Sequence, residues 1–272
     1  VTVTIVRPCV DEIAIFPNEF TDRRTLKSIV LRDVEIMYSR TSGGGGWVEV
    51  KEYLEGDGVF LKSDFIGAIV RVEMESLDGN IIMHEKRYPK GDGPFPAVIL
   101  LHTSGGFFTV LDQLKPYTQR GYAAYAPDFF TRHKITKASR YDTWTRYRRD
   151  IEKELIEIVE LMKADPKVDK NNIFAAGFSN GGYWATFLAG RNHVNAGASH
   201  YGVWWWGSGR WNGYPVQYLS KDSNPVLALH GLKETVSKWE HVMPQLTSAE
   251  LASPKFKKVI FRTVGHSWDC KY

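Results

Sequence analysis

Ser179, Glu234 and His266 occur in that order along a chain of 272 residues, and together their side chains could carry nucleophilic acyl transfer. A serine hydroxyl attacks poorly near neutral pH unless an imidazole takes its proton, and that imidazole needs a carboxylate to fix its tautomer. Ser179 lies in Gly177-Phe178-Ser179-Asn180-Gly181, a G-x-S-x-G pattern. The logic of this pattern is steric: a serine on a strained strand-to-helix turn needs glycines on both sides so that the backbone can pass close by. The context fits, because the apolar run "NIFAAGFS" ends at the serine and "GYWATFLAG" opens a helix after it.

The partners of Ser179 are found by asking where strands end, since site residues of an open α/β sheet lie beyond the carboxyl ends of its strands. His266 follows "KKVIFRTVG" and Glu234 follows "NPVLALHG", so both meet that condition. Asp222 precedes its strand, Glu240 lies further into the next helix, and Asp269 is too near His266 in sequence to face its ring. Glu234 is therefore the expected acid. His102 and His230 are read as hydrogen-bonded to loop backbone, and His200 as a residue that could line the pocket. Acyl transfer also needs donors where the oxyanion forms. The N–H of Asn180 is one, and the glycine-containing loop "HTSGGF" at 102–107 offers a second.

The elements that would position these groups are legible from about residue 95 onward. Short β-rich runs alternate with helical stretches, the pattern of a mostly parallel central sheet flanked by helices. "PAVILLH", "GYAAYAPDFF", "NIFAAGFS", "AGASHYGV", "NPVLALHG" and "KKVIFRTVGH" read as strands. A helix over roughly 142–164 places Ile151, Leu155, Ile158, Val159 and Met162 on one face, and Asp165-Pro166 ends it. Residues 66–90 read as two strands joined at Asp78-Gly79, a hairpin at the sheet edge. Residues 1–65 read as a β-rich N-terminal extension, so the expected division is 1–65 and a catalytic domain at 66–272.

Thirty-five basic against 31 acidic residues give a net charge of +4, spread along the chain, so nucleic-acid binding is not inferred. The longest apolar runs fall far short of the roughly 18–20 residues that cross a bilayer, and no membrane span is expected. Cys9 and Cys270 lack metal-ligand spacing. A disulfide between them would imply an oxidising compartment, which sets a secreted or periplasmic location ahead of a cytoplasmic one.

With these residues in hand, positions 66–268 resemble the dienelactone hydrolase family of α/β-hydrolases. The resemblance rests on "PAVILLHTSGGF", "RGYAAYAPDFF", "GFSNGG", "HYG", "HGLKE" and "GHSW" in that order. It implies an α/β-hydrolase fold, a triad of Ser179, His266 and Glu234, and an oxyanion hole formed by the amides of Ser104 and Asn180. It also matches Arg132 to an arginine that contacts the substrate carboxylate. The family's namesake enzymes use a cysteine nucleophile, a glutamate after the histidine of the oxyanion loop, and a second arginine. Those positions hold Ser179, Thr103 and Cys270, which argues for a serine esterase rather than a dienelactone substrate.

"YGVWWWGSGRWNGYP" concentrates Trp204, Trp205, Trp206, Trp211 and Tyr214 after a strand. Facing the nucleophile, these residues would form an aromatic wall for an ester, with Trp204, Trp205 and Trp206 as the substrate-binding candidates; the competing reading is a packing cluster. The expectation is a carboxylic ester hydrolase working through an acyl-serine, with no cofactor or metal, as monomer or homodimer. Its partner would be a small-molecule ester, aromatic or acidic. The alternatives are a prolyl-oligopeptidase-type peptidase and a non-catalytic hydrolase-fold binding protein.

Overall fold

In the computed structural model, residues 84–206 and 213–268 are described, together with the backbone of residues 2–6, 28–31, 35–39, 49–53, 58–61 and 69–72. Cys9, Cys270, Trp211, the glycine run at 43–46 and the Asp78-Gly79 turn lie outside these residues. The chain divides into two units, Val1–Met83 and His84–Tyr272.

Among the described residues the first unit carries six strands: β1 (Thr2–Val6), β2 (Ser28–Leu31), β3 (Glu35–Ser39), β4 (Glu49–Tyr53), β5 (Gly58–Leu61) and β6 (Ile69–Val72). Four of them form a sheet in the order β4-β3-β1-β6, and β2 pairs with β5. The turn of the hairpin expected within 66–90 lies outside the described residues, and the two described strands of that stretch have other partners. Its first strand, β6, runs antiparallel to β1. Its second, β7 (His84–Arg87), runs antiparallel to a strand of the second unit, β9 (Ala123–Pro127). A turn signal specifies a reversal of the chain, and the partners on either side decide where each strand pairs.

In the second unit β7 and β9 join β8 (Phe95–Leu101), β10 (Val168–Phe178), β11 (Ala196–His200), β12 (Val226–Gly231) and β13 (Phe256–Phe261). The sheet order is β13-β12-β11-β10-β8-β9-β7, and every neighbouring pair but β7-β9 is parallel. The runs without alternation become strands buried on both faces. Ala97 to Leu101 of β8 and Ala123 to Ala126 of β9 are at most 2% exposed. Among the described residues four α-helices connect the strands: α1 (Leu111–Gln119), α2 (Arg148–Ala164), α3 (Asn180–Gly190) and α4 (Trp239–Ala252). This is the mostly parallel, helix-flanked sheet of an α/β-hydrolase.

The predicted face of α2, Ile151, Leu155, Ile158, Val159 and Met162, is fully packed away. The helix starts later than its pattern suggested, because Arg140–Thr143 forms a separate 3-10 turn ahead of it. After α2, Asp165 Oδ2 accepts hydrogen bonds from Tyr125 (2.6 Å), Tyr88 and Lys86 (3.2 Å), and its Oδ1 accepts the Lys167 amide at 2.9 Å. One carboxylate thus ties β7, β9 and the start of β10 together. Burial works to raise its pKa, but the phenols of Tyr125 and Tyr88, the Lys167 amide and the Lys86 charge prevail and hold it at about 2.

The chain goes from β8 outward to β9, then returns past β8 to β10 and builds the opposite flank. Strand order therefore reverses between β8 and β10, where open α/β sheets bind ligands beyond the strand ends. Gly177 of β10 pairs with Leu101 of β8, so the loop after Leu101 and the turn after Phe178 emerge side by side.

Candidate active site

Ser179 joins β10 to α3 with φ 52° and ψ −109°, a left-handed φ that non-glycine residues rarely adopt. The turn is secured by its backbone: the Ser179 amide donates to His200 O at 3.0 Å and the Gly181 amide to His102 O at 2.9 Å. Its tightness explains the glycines. A Cβ on Gly181 would lie 2.0 Å from Leu101 O, and one on Gly182 would lie 2.7 Å from Gly202 Cα. The helix after the turn is apolar on every side, and all eleven residues of α3 are buried. A helix of that kind is a core element, and it fixes the turn rigidly.

His266 reaches this turn from the loop after β13. Its Nε2 lies 3.0 Å from Ser179 Oγ and its Nδ1 2.7 Å from Glu234 Oε2. The ring packs edge-on against Tyr201, with centroids 4.8 Å apart, and Tyr201 also meets Trp268 at 4.8 Å. Glu234, on the loop after β12, has a fully buried carboxylate. Its Oε1 accepts the amides of Val236 (2.8 Å) and Ser237 (3.2 Å), so each oxygen has a separate task. Burial works to raise its pKa, but the His266 hydrogen bond and charge and the two amides hold it below the usual glutamate range. The rival acids stay apart: Asp222 precedes β12 and Glu240 lies exposed in α4, while Asp269 is outside the described residues.

His102 Nδ1 lies 2.8 Å from Thr103 O, and its ring stacks on Phe129 at 3.7 Å. His230 Nε2 lies 2.9 Å from Ser237 O, which braces the loop bearing Glu234. Burial, partly opposed by the Glu234 charge, keeps His230 below the ordinary imidazole range. Both histidines bond to loop backbone, the role their positions suggested. His200 stacks on Phe178 at 4.9 Å.

Ser104 stands in the loop after β8, and Asn180 is the first residue of α3, where the helix itself supplies no acceptor for the amide. Their side chains are neighbours as well: Asn180 Nδ2 donates to Thr143 Oγ1 at 3.2 Å and to Ser104 Oγ at 3.5 Å. Sequence reasoning missed Thr143 and the Val236 and Ser237 amides, because none of them has a motif of its own, and it quoted Tyr201 within "HYG" without giving it a role.

The residues proposed to hold substrate disperse. Trp204 is 1% exposed and packs edge-on against Phe256 at 5.5 Å. Trp205 stacks on His241 of α4 at 4.1 Å. Trp206 stacks on Trp144 at 5.1 Å and meets Tyr183 of α3 at 5.6 Å. Consecutive residues leaving a strand point in different directions, so three tryptophans in a row do not make one wall. Arg132 Nη1 lies 3.1 Å from Glu154 Oε1, an oxygen that His133 Nε2 also reaches at 3.0 Å. Among the described residues no group of three or more acidic, histidine or cysteine side chains could hold a metal, and no helix is long and apolar enough to cross a membrane.

Solved structures share this fold. A dienelactone hydrolase candidate from Klebsiella pneumoniae superposes with a TM-score of 0.58 at 23% identity, over 73% of this chain and 87% of that one. Esterase 2 of Thermogutta terrifontis with propionate bound gives 0.57 at 17% identity, over 73% and 84%. The 2,6-dihydroxy-pseudo-oxynicotine hydrolase gives 0.56 at 19% identity, over 72% and 61%. No curated protein matches the chain. The dienelactone hydrolase family matches residues 86–272. That span is more than half of the chain, and the protein is accordingly a hydrolytic enzyme belonging to the dienelactone hydrolase family.

Proposed function

We propose that the protein hydrolyses small-molecule carboxylic esters through an acyl-serine intermediate. The observation that carries this reading is the continuous relay from Glu234 through His266 to Ser179, 2.7 Å and then 3.0 Å long. In the first step His266 Nε2 takes the Ser179 proton as Oγ attacks the ester carbonyl. The amides of Ser104 and Asn180 receive the oxyanion, and Glu234 stabilises the imidazolium while holding Nδ1–H toward itself. Collapse of the tetrahedral species returns that proton from Nε2 to the departing alkoxide and leaves the acyl group on Ser179. Water, deprotonated by the same nitrogen, then attacks the acyl carbonyl and releases the acid with Ser179 restored.

Serine as nucleophile and threonine at position 103 support general ester hydrolysis over dienelactone cleavage. The test is hydrolysis of p-nitrophenyl butyrate beside a peptide p-nitroanilide, by the parent and by Ser179→Ala and His266→Ala. Ester turnover with an initial burst, lost in both variants, supports the reading. Turnover that survives Ser179→Ala sinks the triad, and preference for the anilide makes the enzyme a peptidase. Folded parent with no turnover and no labelling by a fluorophosphonate makes it a binding protein.

A further inference from the structure

The oxyanion loop is closed by a pair of threonine hydroxyls whose hydrogen bonds form one directed chain. The Gly105 amide donates to Thr103 Oγ1 at 3.0 Å, and Thr103 Oγ1 donates to Thr109 Oγ1 at 3.0 Å. Thr109 Oγ1 in turn donates to Gly106 O at 2.7 Å and accepts the Thr103 amide at 3.1 Å. One hydroxyl at position 109 therefore makes three bonds, using its single proton and both lone pairs. Two backbone bonds complete the closure, Gly106 N to Thr103 O at 3.0 Å and Thr109 N to Gly106 O at 3.1 Å. The loop needs a glycine at 105 for this, because a Cβ there would sit 2.7 Å from Thr109 Cγ2. Ser104 lies at the apex, and the amides of Thr103, Gly105 and Gly106 around it all bond within the loop.

We infer that Thr109 is a positioning residue for the oxyanion hole: its hydroxyl clasps the 103–106 loop so that the Ser104 amide is held toward the developing oxyanion. The inference rests on the ester-hydrolase reading, which gives that amide its task. Preorganised donors help because they need no reorganisation during the reaction. A loosened clasp therefore acts on the transition state more than on the bound ester, and lowers kcat with KM little changed.

The experiment compares Thr109→Val, which keeps the shape and removes the hydroxyl, with Thr109→Ser, which keeps the hydroxyl. Thr109 is solvent-exposed, so neither change opens a core cavity. Turnover of p-nitrophenyl butyrate is measured together with inhibition by an alkyl boronic acid, which forms a tetrahedral adduct resembling the transition state. Removing one whole oxyanion donor costs roughly 100–1,000-fold in kcat, so a donor left in place but loosened should cost about tenfold. Thr109→Val is expected to lose that factor in both kcat and boronic acid affinity, with KM within twofold and the melting temperature near that of the parent. Thr109→Ser is expected to recover most of both losses. Parental kcat in Thr109→Val, or an equal loss in Thr109→Ser, overturns the clasp while Ser179-dependent turnover of the parent keeps the ester-hydrolase reading intact. Parent turnover that does not depend on Ser179 overturns that reading instead, and the clasp's catalytic role with it.

Discussion

Gly177 and Gly181 approach so closely that a Cβ on the first would lie 1.9 Å from the carbonyl oxygen of the second. The obstacle is backbone on both sides, so no side-chain rotation relieves it. Gly181 faces the same constraint against Leu101 O at 2.0 Å. Gly181→Ala is expected to push α3 away from the end of β8 and to cost about 3 kcal/mol, the upper range for overpacking. Urea unfolding measures the cost, and ester turnover should fall by a larger factor than stability alone explains.

Glu234→Gln keeps an oxygen for the Val236 and Ser237 amides but removes the charge that faces His266. By analogy with amide replacement of a triad acid, kcat should fall by about 10⁴-fold while the fold persists. Steady-state kinetics and circular dichroism separate the two. A silent substitution would mean that another carboxylate orients the imidazole.

Much of this site could be read from order and placement along the chain. Order and placement beyond the ends of strand runs singled out Ser179, Glu234 and His266, and the structure joins these three by hydrogen bonds of 3.0 and 2.7 Å. What could not be read was contact between residues that share no motif. Trp204, Trp205 and Trp206 look alike in sequence, but strand geometry and a packed interior send one to Phe256, one to His241 and one to Trp144. The strands on either side of Asp78-Gly79 make a related point. Local turn chemistry says nothing of β6 preferring β1 and β7 preferring β9.

Asp165 offers a test of stability against pH. Its pKa in the folded chain, about 2, lies below the ordinary aspartate value of 3.8, so its contribution is present above that value and is lost as pH falls toward 2. Glu234 has the same sign, and its contribution fades below the ordinary value of 4.5. Asp165→Asn should destabilise the protein near neutrality by about 2 kcal/mol, the range for hydrogen bonds to a charged group. Its melting temperature should also vary less than the parent's between pH 5 and pH 2, within the window these two pKa shifts define. An unchanged acid profile would remove Asp165 as the group responsible.

Arg132 is held by Glu154 through Nη1 at 3.1 Å, and its side chain is 38% exposed. Arg132→Ala is therefore expected to leave KM for neutral esters and for esters bearing a carboxylate equally unaffected, within about twofold, as for a surface ion pair. A rise in KM confined to the anionic esters would restore the arginine to substrate binding.

The division of labour within Glu234 has a further consequence. One oxygen is anchored by amides two and three residues along its own loop, and only the other turns to the imidazole. The acid thus keeps its aim whether or not the histidine is in place. Because the two amides anchor Oε1, Oε2 is presented to the His266 ring in a single orientation set by the loop's own backbone.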